Sequence, residues 1–93
     1  MNKYELVITN SFKKDYKKLV KRRYDISLLD DVVDKLLKGE TLPEKNKDHS
    51  LTGNWVGYRE CHIEPDWLLV YKIYEETLIL SLTRTGTHSD LDF

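Results

Sequence analysis

A chain of 93 residues with 40% hydrophobic and 33% charged residues reads as one domain, residues 1–93, and as a compact fold rather than a disordered chain. No apolar run approaches the roughly 20 residues that cross a bilayer, no long apolar stretch follows Met1 as in a secretory signal, and the single cysteine, Cys61, has no internal disulfide partner, so the expected setting is the cytoplasm. The net charge of -1 hides a division, with 12 Lys and Arg against 8 Asp and Glu in residues 1–47 and 3 against 8 in residues 48–93.

Tyr4 to Thr9 has the β-prone core Leu6-Val7-Ile8 and predicts a first strand. Asn10 or Ser11 can cap the helix that follows, in which Phe12, Tyr16, Leu19 and Val20 fall on one stripe. The remaining face carries Lys13, Lys14, Lys17, Lys18, Lys21, Arg22 and Arg23, a density that draws a polyanion such as RNA. The plainer alternative is a solvated helix face. Asp25 caps a second helix, with Ile26, Leu29, Val33, Leu36 and Leu37 at helical spacing and Gly39 as its stop. So short a connection predicts an antiparallel helix hairpin.

Glu40 to Asn54 is polar and without period, and reads as a loop carrying His49. Trp55–Glu64, Trp67–Tyr74 and Thr77–Arg84 then predict three strands, the last with Leu78, Leu80 and Leu82 directed to one face. The expected fold is α+β, in the order β-α-α-β-β-β, with the helix hairpin on one face of a mainly antiparallel sheet. The strand at Trp55–Glu64 is expected at the centre, with the other face open to a ligand.

All three histidines fall in short polar clusters of the second half: Lys47-Asp48-His49, Arg59 to Trp67, and Arg84-Thr85-Gly86-Thr87-His88. This topology brings His49, His62, Asp66, Arg84 and His88 to one edge. Imidazole has an unperturbed pKa of about 6.5 and can both take and give a proton near neutrality. Metal-independent cleavage of RNA needs a base for the 2′-hydroxyl, an acid for the departing 5′-oxygen and a cation for the phosphorane charge. Two imidazoles, or an imidazole and a carboxylate, suit the first two tasks, and a guanidinium suits the third. Trp67, beside the cluster, can stack on an unpaired base, as can Tyr58 or Phe93. Zinc is the rival reading, but neither HExxH nor paired CxxC is present, and Arg84 would oppose an ion. Cys61 and His62 are adjacent strand residues on opposite faces, so Cys61 is read as a small buried apolar residue rather than a nucleophile.

The stretches Lys47-Asp48-His49-Ser50-Leu51, Gly57-Tyr58-Arg59-Glu60-Cys61-His62-Ile63-Glu64-Pro65-Asp66-Trp67 and Arg84-Thr85-Gly86-Thr87-His88 resemble the YafQ branch of the RelE/ParE toxin superfamily. The resemblance implies a RelE-like fold and a type II toxin that cuts messenger RNA in the ribosomal decoding site without a cofactor or metal. It implies His49, His62, Asp66 and His88 as catalytic residues, with Arg84 beside them. Family members also carry an aromatic near the C-terminus; here Asp92 displaces Phe93 by one place. A RelB/DinJ-type antitoxin is implied, in a heterotetramer that meets operator DNA only through the antitoxin, which leaves the lysine-rich helix to ribosomal RNA. The alternative within the superfamily is a non-catalytic relative that binds a protein target such as gyrase.

Overall fold

Trp67-Leu68-Leu69-Val70-Tyr71 contains no charged side chain, and such a strand is stable only where both of its faces are covered. The structure, a computed structural model, describes residues 1–91 and places this segment in the middle of a sheet. In chain order the elements are β1 (Glu5–Ile8), α1 (Asn10–Lys21), α2 (Ile26–Leu37), β2 (His49–Ser50), β3 (Arg59–Glu64), β4 (Trp67–Tyr74), β5 (Ile79–Gly86) and α3 (His88–Leu91). The sheet order is β1-β5-β4-β3-β2, antiparallel except for the parallel pair β1 and β5. The centre is therefore β4 and not the preceding strand, in keeping with the buried apolar side chains that β4 presents to both faces, whereas β3 sets Glu60 and His62 on one of its faces.

The helix hairpin covers one face, as expected. Phe12 and Leu19 from α1 and Leu29, Val32 and Leu36 from α2 meet Cys61, Trp67, Leu69, Tyr71, Leu80 and Leu82 from the strands. Each fully buried side chain of this size contributes about 1.5–3 kcal/mol. On the other face Leu68 and Val70 pack with Leu91 of α3 and, at the margin, Leu51, Trp55 and Tyr58. That face is partly covered, and what stays open is a hollow rather than a bare sheet.

Several local expectations shift. The α1 cap is Thr9, one residue earlier than predicted: its hydroxyl accepts from the Phe12 N–H at 3.0 Å and donates to the Thr83 carbonyl at 2.8 Å. Val20 is exposed, so the buried stripe of α1 is narrower than its apolar pattern. Asp25 caps α2 as predicted, and Gly39, at φ 76°, ends it with the Glu40 N–H returning to the Lys35 carbonyl. The 40–54 segment is more ordered than a loop, with single 3-10 turns at Glu44–Asn46 and Gly53–Trp55 and the two-residue strand β2. The β3 strand begins at Arg59 rather than Trp55. Leu78 sits in the β4–β5 turn at φ 54° and is exposed, so only Leu80 and Leu82 of the expected trio reach the core. Beyond β5 the chain forms α3. Phe93 lies outside the described residues.

Candidate active site

Residues directly opposite across a ladder share a face. His49 pairs with Glu60, Glu60 with Val70, and His62 with Leu68. His49, Glu60 and His62 therefore lie on the sheet face away from the helix hairpin, together with Leu68 and Val70.

The two-residue strand that carries His49 is too short to hold itself. Asp48 anchors it from the opposite face, accepting from the Tyr71 hydroxyl at 2.5 Å and from Arg59 Nη2 at 3.1 Å. Arg59 Nη1 also donates to Ser50 Oγ at 2.8 Å. Burial and the Asp48 carboxylate together push the Tyr71 hydroxyl far above its ordinary range, so it stays a donor. Lys47 takes a left-handed conformation, φ 47°, and its carbonyl accepts from His49 Nδ1 at 2.7 Å. The other ring nitrogen, Nε2, lies 3.4 Å from Glu60 Oε1.

His88 opens α3, where the chain crosses over the turn between β3 and β4. Its backbone N–H donates to Asp66 Oδ1 at 3.0 Å and its Nδ1–H to the same oxygen at 2.5 Å. These two bonds, the ring's first, hold the Asp66 carboxyl below its usual range. The His62 ring is tilted toward His88 with centroids 5.8 Å apart. Its Nδ1 donates to the Pro65 carbonyl at 3.2 Å, and the carbonyl of His62 accepts from buried Asn46 Nδ2 at 2.7 Å. Because a carbonyl only accepts, Nδ1 carries the proton in His49 and His62, and Nε2 is the chemically available nitrogen of each.

His88 and Glu60 share a hollow of about 310 Å³ with Leu51, Thr52, Trp55, Leu68 and Leu91. Glu60, only 8% exposed, links the two halves of the site: its carboxylate meets His49 and lines the same hollow as His88. It was absent from the expected set, although its alternation with His62 at i and i+2 places both on one face.

One expected role is corrected by placement, and two further expected residues are found in ion pairs. Trp67 is 1% exposed, packs edge-on to Tyr24, and donates Nε1–H to Thr85 Oγ1 at 3.0 Å, so no base reaches it. Arg84 is committed to Asp15 of α1, Nε to Oδ2 at 2.6 Å and Nη2 to Oδ1 at 3.2 Å. The reason lies at the sheet edge. The β1 ladder covers β5 only as far as Leu82, and beyond it buried Asp15 accepts from the bare Thr85 N–H at 3.2 Å as well as from Arg84. Arg22, expected to meet RNA, is paired through both nitrogens with Asp90 at 2.7 and 3.1 Å. Lys13, Lys14, Lys17, Lys18 and Lys21 are exposed along α1. Cys61 is fully buried as expected, and burial pushes its thiol up to about 12. Among the described residues no group of three His, Cys, Asp or Glu side chains is placed to hold a metal ion, and no helix is long and apolar enough to cross a membrane.

Comparison with known proteins gives the same picture. The model of the family described as the bacterial toxin of type II toxin-antitoxin system, YafQ, matches residues 4–92. The chain is 39% identical over 88 residues to the mRNA interferase toxin YafQ of Escherichia coli K12, covering 94% of each. It superposes on the toxin of the E. coli DinJ-YafQ complex with a TM-score of 0.88 and 38% identity, covering 96% of this chain and 97% of that one. A metal-bound toxin from Helicobacter pylori is similarly close, with a TM-score of 0.89 and 43% identity over 95% of this chain and 98% of that one. A family match across nearly the whole chain, with the RelE-like fold beneath it, establishes that this protein belongs to the YafQ family of type II toxin-antitoxin toxins.

Proposed function

We propose that this protein is a ribosome-dependent mRNA interferase that cuts the message by general acid–base catalysis. The observation that carries the reading is one hollow lined by both His88 and Glu60, with Asp66 bonded to His88, the His62 ring beside it, and His49 meeting Glu60. In the reaction the RNA 2′-oxygen attacks the adjacent phosphorus and the bond from phosphorus to the 5′-oxygen breaks. The products are a 2′,3′-cyclic phosphate and a 5′-hydroxyl.

His49 Nε2 takes the 2′-hydroxyl proton, and the Glu60 carboxylate 3.4 Å away balances the imidazolium that forms. Asp66 sets the aim of His88 through its Nδ1–H, and the doubly protonated ring gives its Nε2 proton to the departing 5′-oxygen while keeping the bond to Asp66. His62, when protonated, places positive charge beside the transferring phosphate, the task expected of Arg84, whose Nε and Nη2 are bonded to Asp15. The curated E. coli relative is named an mRNA interferase, which favours this reading over the gyrase-binding alternative.

The exposed lysines of α1 engage ribosomal RNA in the cytoplasm. A DinJ-type antitoxin, of the kind present in the E. coli complex, neutralises the toxin. Its docking surface is the groove of about 390 Å³ between β1 and the helix hairpin, where Leu6, Ile8, Phe12, Tyr16, Leu29 and Val33 are flanked by Lys13 and Lys17. The complex meets operator DNA through the antitoxin and forms the heterotetramer implied by the family resemblance. On purified ribosomes programmed with a defined message, His88→Ala lowers cleavage by about 10²–10⁴-fold with ribosome binding retained. A loss of only twofold would overturn the assignment.

A further inference from the structure

His88 and Asp66 are both exposed, with side-chain accessibilities of 59% and 69%, so neither is held by burial. Nor does α3 hold itself: four residues are far below the length at which an isolated helix persists. The position of the imidazole must be set by whatever fixes this one turn.

The fixing group is Asp90. Its Oδ2 accepts from the Thr87 N–H at 3.0 Å while the Asp90 N–H donates to Thr87 Oγ1 at 3.1 Å, the reciprocal pattern of a capping box. Arg22, at the end of α1, grips both carboxylate oxygens. Gly86 makes room for this arrangement, since a Cβ there would stand 2.9 Å from Asp90 Cβ. The carboxyl is held far below its ordinary range, first by Arg22 and then by the Thr87 N–H, and so remains an anion throughout the working pH range.

We propose that Asp90, clamped by Arg22, is a positioning residue that sets His88 over the cleavage site. Asp90 does not line the hollow and donates nothing to the substrate; it acts through the backbone of Thr87 and His88. Arg22, the C-cap of α1, is thereby engaged within the chain, and the lysine-bearing helix is tied by an ion pair to the turn bearing the acid. The inference rests on the reading of His88 as proton donor.

The test compares Asp90→Ala, Asp90→Glu, Arg22→Ala and His88→Ala on ribosomes programmed with a defined message, with melting curves confirming the fold of each. A displacement of about 1 Å at a reacting group costs on the order of 10²-fold. Asp90→Ala and Arg22→Ala are expected to lower kcat by about 10- to 100-fold and to leave KM within about twofold, the split expected of a misplaced acid. Asp90→Glu, the residue preferred in capping boxes, is expected to restore kcat to within a few-fold. If His88→Ala abolishes cleavage while Arg22→Ala and Asp90→Ala keep wild-type kcat, this inference falls and the proposed function stands. If His88→Ala itself cleaves normally, the proposed function falls first. A matched rise in KM with kcat unchanged would make Arg22 and Asp90 RNA contacts and would also overturn the positioning role.

Discussion

Removing the Asp15 carboxylate should be among the most damaging single changes outside the apolar core. Its side chain is 7% exposed, that of Arg84 is 28% exposed, and three bonds converge on its two oxygens. In Asp15→Ala the fully buried Thr85 N–H loses its acceptor, at a cost of about 1–3 kcal/mol. The Arg84 guanidinium also loses its counter-charge, and breaking a buried pair costs about 3–5 kcal/mol. Arg84 keeps a partial path to water, which lowers that second figure, and the two effects together come to about 3–4 kcal/mol. A chain of this size has a total stability of about 5–14 kcal/mol. With a urea m-value of about 1–2 kcal/mol per molar, the unfolding midpoint should fall by about 2 M, read from the fluorescence of buried Trp67. Asp15→Ala combined with Arg84→Met removes the stranded charge and should recover about half of the loss. A loss below about 1 kcal/mol, or no recovery in the double variant, would refute the reasoning that Asp15 is the structural counter-ion of the β5 edge.

Changing Lys13, Lys14, Lys17 and Lys18 together to Glu should weaken ribosome association and flatten its salt dependence, because each lysine on a phosphate contributes to that slope; equal affinity at physiological salt would leave this face as solvated surface. Asp90 should govern part of the acid limb of stability. Its carboxyl is held low in the folded state by Arg22 and Thr87, so its contribution is complete above the unfolded value of about 3.9 and is lost as pH falls through the folded value. Asp90→Asn should therefore be less stable than the parent at neutral pH and converge with it in strong acid, whereas parallel curves would contradict the ion pair's role. The Cys61 thiol, fully buried and raised to about 12, should resist iodoacetamide at pH 8 in the folded protein and react once urea unfolds it. Rapid alkylation of the native chain would show that β3 is not packed as described.

Periodicity carried the large elements and lost the small ones. The stripe of Phe12 and Leu19 and the unbroken apolar run of β4 each span enough residues for a period to register. Strand β2 has two residues, and no pattern exists at that length; it is defined by Asp48, Arg59 and Tyr71, which come from elsewhere in the chain. The site was legible as a set of protonatable groups because His49, His62, Asp66 and His88 sit in motifs, but the partners that aim them were not. In the sequence Arg22 reads as one of the RNA-directed cations of the first helix and Asp15 carries no role, and only the fold shows that Asp15 closes the sheet edge and Arg22 grips the turn of His88. Trp67 was misplaced for an avoidable reason: it alternates with Leu69 and Tyr71, which assigns it to the helix-covered face.

The chemistry of the cut ends tests the central claim most directly. Ribosomes programmed with a defined message and incubated with the purified protein should yield fragments ending in 2′,3′-cyclic phosphate and beginning with 5′-hydroxyl, the signature of an internal 2′-oxygen attack assisted by base and acid. Fragments beginning with 5′-phosphate would mean that water is the nucleophile, and an uncut message would mean that the hollow between Glu60 and His88 is not a cleavage site.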